Sequence, residues 1–274
     1  MTVTVTRFAG QFAALAAWTG EPERQLRAEE DYHSSEREHW LAWDGPAVVG
    51  LLHPWRSPDG RLRLYYDKCR PDTYGPLAGA VDGECVATVD ATDTAALTAL
   101  AAVGFTELRR ENEYEIPVTM VAAPVPAGIE IVTADRTELE PLMLLDCAIR
   151  ADIPGSAGWQ PDPVWFREET YDSPFFDPQT YRVALADGAY IGLARVWKPP
   201  PGHRYGRLGC VGVLVGYRRR GLGRALIAEA FAPLAAAGQP AVSAEADATN
   251  VASHALLTSF GGRIIGGTIE LHRA

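Results

Sequence analysis

The sequence lacks an apolar run of about 18 residues, the shortest that predicts a membrane-spanning helix. Its first residues, MTVTVTRFAG, lack the basic and apolar regions of a signal peptide and predict a strand instead. The cysteines form no CxxC pair and have no histidine at metal-ligand spacing. We therefore expect a cytoplasmic protein with no membrane contact, no bound metal and four free thiols, at Cys69, Cys85, Cys147 and Cys210.

Positive charge is also scarce. The 25 basic residues are outnumbered by 35 acidic ones, and the net charge of −10 disfavours nucleic acid or an anionic membrane as partner. An acidic chain is compatible with a cationic small-molecule substrate, although many proteins are acidic for solubility alone. With 274 residues, of which 47% are hydrophobic, the chain is expected to be globular and to form about two domains.

Two blocks of sequence recur in the same order along the chain. GLLHPWRSPDG (50–60) resembles GLARVWKPPPG (192–202) at an offset of 142 residues. VDATDTAALTALAAVGF (89–105) resembles ADATNVASHALLTSFGG (246–262) at an offset of 157 residues. Two matching blocks predict a duplicated domain of about 130 residues.

The predicted copies span 1–120 and 128–274, with a proline-containing linker at 121–127. Because the two offsets differ, the second copy carries about 15 extra residues between its blocks. The stretch GYRRRGLGRAL (216–226) lies in that interval, and the first copy has no Gly-x-Gly after basic residues there. Only one copy therefore has this turn.

Hydrophobic periodicity predicts an α/β arrangement in each copy. A final strand pair is expected at 264–273, after the second repeated block. The other elements expected in the second copy are strands at 128–134, 208–215 and 241–247, a hairpin at 182–198 that turns at Asp187-Gly188, and helices at 136–151, 164–171, 219–237 and 250–260.

A glycine-rich turn between a strand and a helix presents unpaired backbone N–H groups that bind anions. Gly221 and Gly223 allow a ligand to approach the backbone closely, and the nearby arginines offset its charge. The stretch is neither a Walker A loop nor a dinucleotide-binding fingerprint. The alternative is a basic helix start whose glycine serves close packing.

Two motifs make the second half of the chain resemble the GCN5-related N-acetyltransferase (GNAT) superfamily. Arg218-Arg219-Arg220-Gly221-Leu222-Gly223 is similar to its Gln/Arg-x-x-Gly-x-Gly/Ala turn, and Asn250-x-x-Ser253-x-x-Leu256 to its second signature. The resemblance is strong over 128–274 and extends weakly to 2–118 through the repeat. The layout resembles the tandem members of the superfamily, such as mycothiol synthase, with a degenerate first copy.

The resemblance implies two tandem domains, each with a mixed, mostly antiparallel sheet flanked by helices. It also implies acetyl-CoA as co-substrate, and Asn250 is in addition a favoured helix N-cap. The residues implied to bind the pantetheine arm and pyrophosphate are Val211, Gly212, Val213, Arg218, Arg219, Arg220, Gly221, Leu222, Gly223, Arg224, Asn250 and Ser253.

Acetyl transfer needs a neutral amine, a polarised thioester carbonyl and a proton for the leaving thiolate. The resemblance implies a glutamate base and a tyrosine acid, but Arg207 and Leu257 occupy those positions. Glu245 is the candidate replacement base, because it alternates with alanines on a predicted strand; the alternative is a solvated acid. His254 is the candidate proton donor; the alternative is an exposed or capping histidine.

Four residues are candidates for the acceptor site. Asp152 and Trp159 belong to a long loop where the superfamily places acceptor-binding segments, and they suit a cation. His203 and Tyr205 precede the apolar strand at 208–215. The alternative for the aromatic residues is packing beneath the loop.

The leading hypothesis is an acetyl-CoA-dependent N-acetyltransferase that transfers acetyl directly to a small-molecule amine. The alternatives are a non-catalytic acyl-CoA-binding or regulatory protein, motivated by Arg207 and Leu257, and a protein N-terminal acetyltransferase. Because an internal duplication can replace a subunit interface, both a monomer and a homodimer are compatible with the sequence.

Overall fold

The computed structural model describes residues 3–32, 38–57, 59–156, 158–199 and 203–274. Their contacts divide the chain into two compact units, Met1–Arg110 with Thr268–Ala274, and Glu111–Gly267. Pro58 in the first repeated block and residues 200–202 at the end of its counterpart lie outside the described residues.

The first unit is a sheet with the strand order β1-β2-β3-β4-β5-β12. Only β4 and β5 pair in parallel in this series; the other neighbours are antiparallel. Its elements are β1 Thr4–Arg7, α1 Phe12–Thr19, α2 Glu23–Tyr32, β2 Trp40–Asp44, β3 Ala47–Arg56, β4 Leu62–Asp67, α3 Tyr74–Gly79, β5 Cys85–Asp90, α4 Thr94–Ala101, the start of β6 (Thr106–Pro117) and the end of β12 (Arg263–Arg273).

The second unit repeats this order as β7-β8-β9-β10-β11-β6, again with one parallel pair, β10 and β11. The shared order confirms the predicted tandem α/β layout with mostly antiparallel sheets. Its elements are the end of β6, β7 Ile129–Thr133, α5 Leu139–Arg150, α6 Pro163–Glu169, β8 Tyr181–Ala186, β9 Ala189–Trp197, β10 Gly206–Val213, α7 Leu222–Ala236, β11 Ala241–Asp247, α8 Val251–Thr258 and the start of β12.

The last strand of each predicted copy is divided between the two units. Residues 111–117 of β6 belong to the second unit, where they pair with β11. Residues 268–273 of β12 belong to the first unit, where they pair with β5. The compact units therefore end inside strands, whereas the repeat places its boundaries in the proline-containing segment between β6 and β7.

The prediction of a strand pair at 264–273 is wrong, because β12 runs unbroken through Gly266 and Gly267. Neither glycine has the positive φ that a two-residue hairpin turn would require. A Cβ at Gly267 would lie 2.5 Å from the carbonyl oxygen of Glu111. The glycine pair serves the close approach of a neighbouring strand.

Two apolar cores flank the sheet of the second unit. One joins β10 and β11 to α7 and α8 through Leu208, Leu226, Ala244 and Leu257. The other joins β8 and β9 to α5 and α6, and it includes Ile149. Within the described ranges, no helix is long and apolar enough to cross a membrane.

Replacing Gly212 on β10 by alanine is expected to destabilise the protein. A Cβ at Gly212 would lie 2.2 Å from Cγ2 of Ile149, which is buried at 3% exposure and has little room to move. Overpacking of this kind costs about 1–3 kcal/mol, measurable by urea unfolding. The control is Gly216→Ala, since no atom lies within 4 Å of a Cβ there. Equal stability of the two variants would contradict the packing at Gly212.

Candidate functional site

The parallel strands β10 and β11 separate soon after they meet. Their recorded pairing is confined to Gly206↔Val242 and Arg207↔Ser243, although the strands continue to Val213 and Asp247. The register of β10 against β9 also shifts between Leu208 and Cys210. We call the gap between residues 208–213 and 244–247 the slot. An extended ligand in the slot would lie alongside the backbone of both strands, as an added strand does in a sheet.

The turn that follows β10 leads directly into α7. Gly221 is the N-cap residue, with φ +83°, and no side chain caps the helix. The first backbone N–H groups of α7 therefore have no side-chain partner. Arg219 also has a positive φ, 61°, which is uncommon for a residue other than glycine. The turn thus leads into a helix N-terminus that has no side-chain cap. The dipole of such a helix favours an anion at this end by about 0.3–2 kcal/mol.

The arginines of the turn surround this helix start. The Nε of Arg218 donates to the Val213 carbonyl oxygen at 2.6 Å, and its guanidinium forms an ion pair with Asp152. Arg220 donates to the Gly216 carbonyl oxygen at 3.1 Å. The side chain of Arg219 is exposed and has no recorded partner among the described residues. The rim of the helix start is thus positively charged.

Arg224 faces the other way, toward α8. Its guanidinium donates to the Ser259 carbonyl oxygen at 3.4 Å and lies 5.2 Å from the ring centre of Phe260. A Cβ at Gly223 would lie 3.5 Å from Leu256 of α8, an ordinary van der Waals distance, so packing against α8 does not require glycine here. Among the arginines of the turn, Arg224 thus contacts α8, whereas Arg218 and Arg220 bond to carbonyl oxygens that precede the helix start.

The start of α8 follows a turn built by Asp247. Its carboxylate accepts from the backbone N–H of Thr249 at 2.8 Å. The Asn250 side chain then caps α8 by accepting from the backbone N–H of Ser253 at 3.1 Å. Asp247 and Asn250 thus have structural roles, while the amide NH₂ group of Asn250 makes no recorded bond within the described chain.

The first unit repeats the aspartate turn and the helix cap, although it lacks the basic Gly-x-Gly turn. Asp90 accepts from the backbone N–H of Thr92 at 2.7 Å, and Asp93 caps α4 by accepting from Ala96 N–H at 2.9 Å. However, α3 has 6 residues where α7 has 15. Most of the extra residues of the second copy therefore lie in the helix that follows the basic turn.

Arg207 and Glu245 form an ion pair where the slot begins. Nη2 and Nε of Arg207 lie 2.6 and 2.7 Å from one carboxylate oxygen of Glu245. Desolvation opposes the charge of Arg207, but the Glu245 carboxylate raises the pKa of this guanidinium above its usual value. An arginine thus occupies the position of the expected base, and Glu245 lies beside it on the next strand.

An arginine occupies the same position in the first unit. Arg63 pairs with Val86 of β5 as Arg207 pairs with Ser243 of β11, and the repeat offset relates those two partners. Arg63 lies 2.9 Å from Glu270 of β12, a carboxylate with only 4% exposure. Sequence analysis did not identify this buried pair, because its partners are 207 residues apart.

The four acceptor candidates are not joined by any recorded contact in the described part of the chain. Asp152 pairs with Arg218, and the ring centre of Trp159 lies 4.8 Å from the Arg150 guanidinium. Tyr205 is half-buried, and the guanidinium carbon of Arg204 lies 5.1 Å from its ring centre; His203 is exposed. Only Asp152 is thereby brought to the basic turn.

His254 lies on α8 and contacts a residue that sequence analysis missed. Its Nδ1 is 2.5 Å from the hydroxyl of Tyr114, a β6 residue with 3% exposure. The only signal for Tyr114 in the sequence is that it interrupts the run of polar residues ENEYE. Desolvation raises the pKa of Tyr114 above its usual value, so its hydroxyl keeps its proton at neutral pH.

Residues 148–261 match the model of the Acetyltransferase (GNAT) family. The matched segment contains β10, the basic turn, α7, β11 and α8. The similarity to this family thus covers the part of the chain that carries the slot and the basic turn.

Mycothiol acetyltransferase of Frankia alni is 33% identical in an alignment of 167 residues that covers 56% of this chain and 49% of that protein. The chain thus spans about half the length of this curated relative.

Two solved structures have a similar fold. A GCN5-related N-acetyltransferase from Sphaerobacter thermophilus has a TM-score of 0.69 at 16% identity, covering 99% of this chain and 95% of its own. A tandem GNAT protein from the clavulanic acid biosynthesis pathway has a TM-score of 0.66 at 16% identity, covering 99% and 98%. At these identities the likeness shows the fold alone, in a tandem GNAT layout.

The Asn250 side chain, which caps α8, is expected to contribute to the stability of the protein. Asn250→Ala is expected to lower the free energy of unfolding by about 0.5–2 kcal/mol, because the Ser253 N–H loses its acceptor. Asn250→Asp keeps an accepting oxygen and is the control. Denaturant titration distinguishes them, and an alanine variant as stable as the wild type would show that the cap contributes nothing.

Proposed function

We propose that the protein is an acetyl-CoA-dependent N-acetyltransferase that transfers acetyl directly to the amine of a small molecule. The second domain, residues 128–274, binds acetyl-CoA. The first domain, residues 1–120, is a degenerate copy without a pyrophosphate loop, and residues 121–127 link them. All four cysteines are free thiols, which suits our proposal that the protein acts in the cytoplasm.

The observation that carries this proposal is the position of the slot. β10 and β11 separate toward the end of β10 that leads into the basic turn and the N-terminus of α7. An extended chain ending in a diphosphate has the shape and charge that these two features accept. Both lie in the segment that matches the GNAT family, whose members use acetyl-CoA.

The binding roles follow from this arrangement. The backbone of Val211, Gly212 and Val213 lies along the slot and pairs with the pantetheine arm. The N–H groups between Arg219 and Arg224 bind the pyrophosphate, with Arg218, Arg220, Gly221, Leu222 and Gly223 completing the turn. Asn250 and Ser253 contact the pantetheine from α8.

Acetyl-CoA supplies the activated acetyl group, and the protein must orient the amine and accept its proton. Glu245 is the base of our proposal, held in place by Arg207 where the slot begins. His254 is the donor to the leaving sulfur. Asp152, Trp159, His203 and Tyr205 remain our proposed acceptor contacts, and the acidic chain suits a cationic amine.

The Arg207–Glu245 ion pair favours a second candidate function. Arg207 already occupies one carboxylate oxygen of Glu245, which leaves less of this carboxylate to contact an amine. Leu257, at the position of the expected acid, is buried at 3% exposure, and its side chain has no ionisable proton to donate. An acyl-CoA-binding protein without catalysis would retain the slot and the turn but release no CoA from any amine mixture.

Gly221→Glu is expected to abolish acetyl-CoA binding. The new carboxylate would lie at the start of α7 and repel the pyrophosphate. In addition, the positive φ at position 221 would cost a glutamate about 1–2 kcal/mol in backbone strain. Gly221→Asn is the control, because asparagine tolerates this conformation and adds no charge. Calorimetric titration of acetyl-CoA measures both variants, and unchanged affinity in Gly221→Glu would exclude the turn as the binding site.

Glu245→Gln is expected to lower kcat by about 10²–10⁴-fold, the usual contribution of a general base, and to leave acetyl-CoA affinity nearly unchanged. CoA release across a panel of small amines measures the effect. Asp247→Asn is the control, since this neighbouring carboxylate accepts hydrogen bonds from Thr249 in the turn before α8. Wild-type turnover in Glu245→Gln would exclude Glu245 as the base.

A further inference from the structure

One ring nitrogen of His254 is buried and has no hydrogen-bond partner among the described residues. Its Nδ1 contacts the Tyr114 hydroxyl at 2.5 Å, but its Nε2 is buried and has no hydrogen-bond partner in the described part of the chain. An unsatisfied buried polar group costs about 1–3 kcal/mol. Such an atom in a folded protein calls for an explanation, and a ligand that is bound there during function is one.

The contact with Tyr114 determines which ring nitrogen carries the proton. If the phenol donates to Nδ1, the only unsatisfied group of the pair is Nε2–H. If Nδ1–H donated to the phenol oxygen, both the phenolic O–H and the Nε2 lone pair would be unsatisfied. The first arrangement satisfies more groups, and it leaves a proton on Nε2.

The position of the pair relates it to the slot. Asn250, His254 and Leu257 are spaced so that they share one stripe of α8. Tyr114 pairs with Ala244, the first residue of β11 beyond the paired segment. Ala244 and Leu257 belong to the core on the same face of the sheet. The histidine thus stands next to Leu257, whose position the expected acid would occupy.

We propose that Tyr114 is a positioning residue that holds His254 as the Nε2–H tautomer, and that Nε2–H donates a hydrogen bond to the sulfur of CoA as it leaves. This inference rests on the proposed function. The acceptor nitrogen forms its bond to the acetyl carbon as the carbon–sulfur bond breaks, with the electron pair going to sulfur. The proton released by the amine passes to Glu245 and solvent, and the thiolate takes up one proton from solvent, so no further reactant is needed.

The first test reads the tautomer directly by ¹⁵N–¹H correlation spectra of histidine-labelled protein, with His254→Gln used for assignment. We expect Nε2 to be protonated and Nδ1 to be an unprotonated nitrogen shifted by an accepted hydrogen bond. Tyr114→Phe should return the Nδ1 resonance to the position of an unbonded nitrogen. A proton on Nδ1 in the wild type would overturn the inference, and it would leave the proposed function standing.

The second test adds CoA to the same sample. The resonances of Nε2 and its proton should move in the wild type, because the sulfur becomes the missing acceptor. If calorimetry shows binding but these resonances do not move, the inference is wrong. If CoA and acetyl-CoA both fail to bind, the proposed function fails together with it.

Kinetics then separates positioning from folding. His254→Gln should lower kcat by about 10²–10³-fold, the loss typical of one transition-state donor, with little change in acetyl-CoA affinity. Tyr114→Phe should lower kcat by less, and it should have no further effect in the His254→Gln background. Additive losses, or equal losses of kcat and acetyl-CoA affinity, would show that the two residues only support the fold.

Discussion

The separation of β10 from β11 is the constraint on which the rest of the second unit depends. Parallel neighbours normally pair along their length, and ending this pairing after two residues leaves backbone groups unsatisfied. The sequence allows this because glycines replace side chains where β10 is crowded. A Cβ at Gly209 would lie 2.5 Å from Nε1 of Trp197, and one at Gly212 would collide with Ile149. This packing holds β10 against β9 and α5, and it thereby fixes the edge of the slot that β10 forms.

Local patterns were sufficient to predict most elements of the second unit and the turn before α7. The hairpin at Asp187-Gly188 and the buried face of α7 follow from spacing that can be read within about ten residues. Long-range pairings could not be predicted in this way. Tyr114 and His254 are 140 residues apart and fall in different predicted copies. The pair Gly266-Gly267 has the composition of a turn, and only the proximity of the Glu111 carbonyl oxygen shows why glycine is needed there.

Arg63 and Arg207 occupy corresponding positions in the two units, but their carboxylate partners differ in burial. In the first unit, Arg63 is bound by Glu270, which is almost fully buried and also lies 3.4 Å from Arg109. In the second unit, Arg207 is bound by Glu245 of β11, and both side chains retain solvent access. A buried ionic cluster is fixed by its own partners, whereas an accessible pair can exchange one partner for a ligand. This contrast is consistent with our proposal that the first copy is degenerate and that the second binds acetyl-CoA.

The division of β6 and β12 between the units affects the order in which the chain can fold during synthesis. The sheet of the first unit includes residues 268–273, which are synthesised after every residue of the second unit. Domains usually fold in the order of their synthesis, but here the first unit must wait for residues 268–273 before β5 gains its neighbour β12. The second unit has all its residues once Gly267 has emerged. The half of the chain that is made first is therefore completed last, and a gene cut between the copies would encode two fragments that each lack a strand.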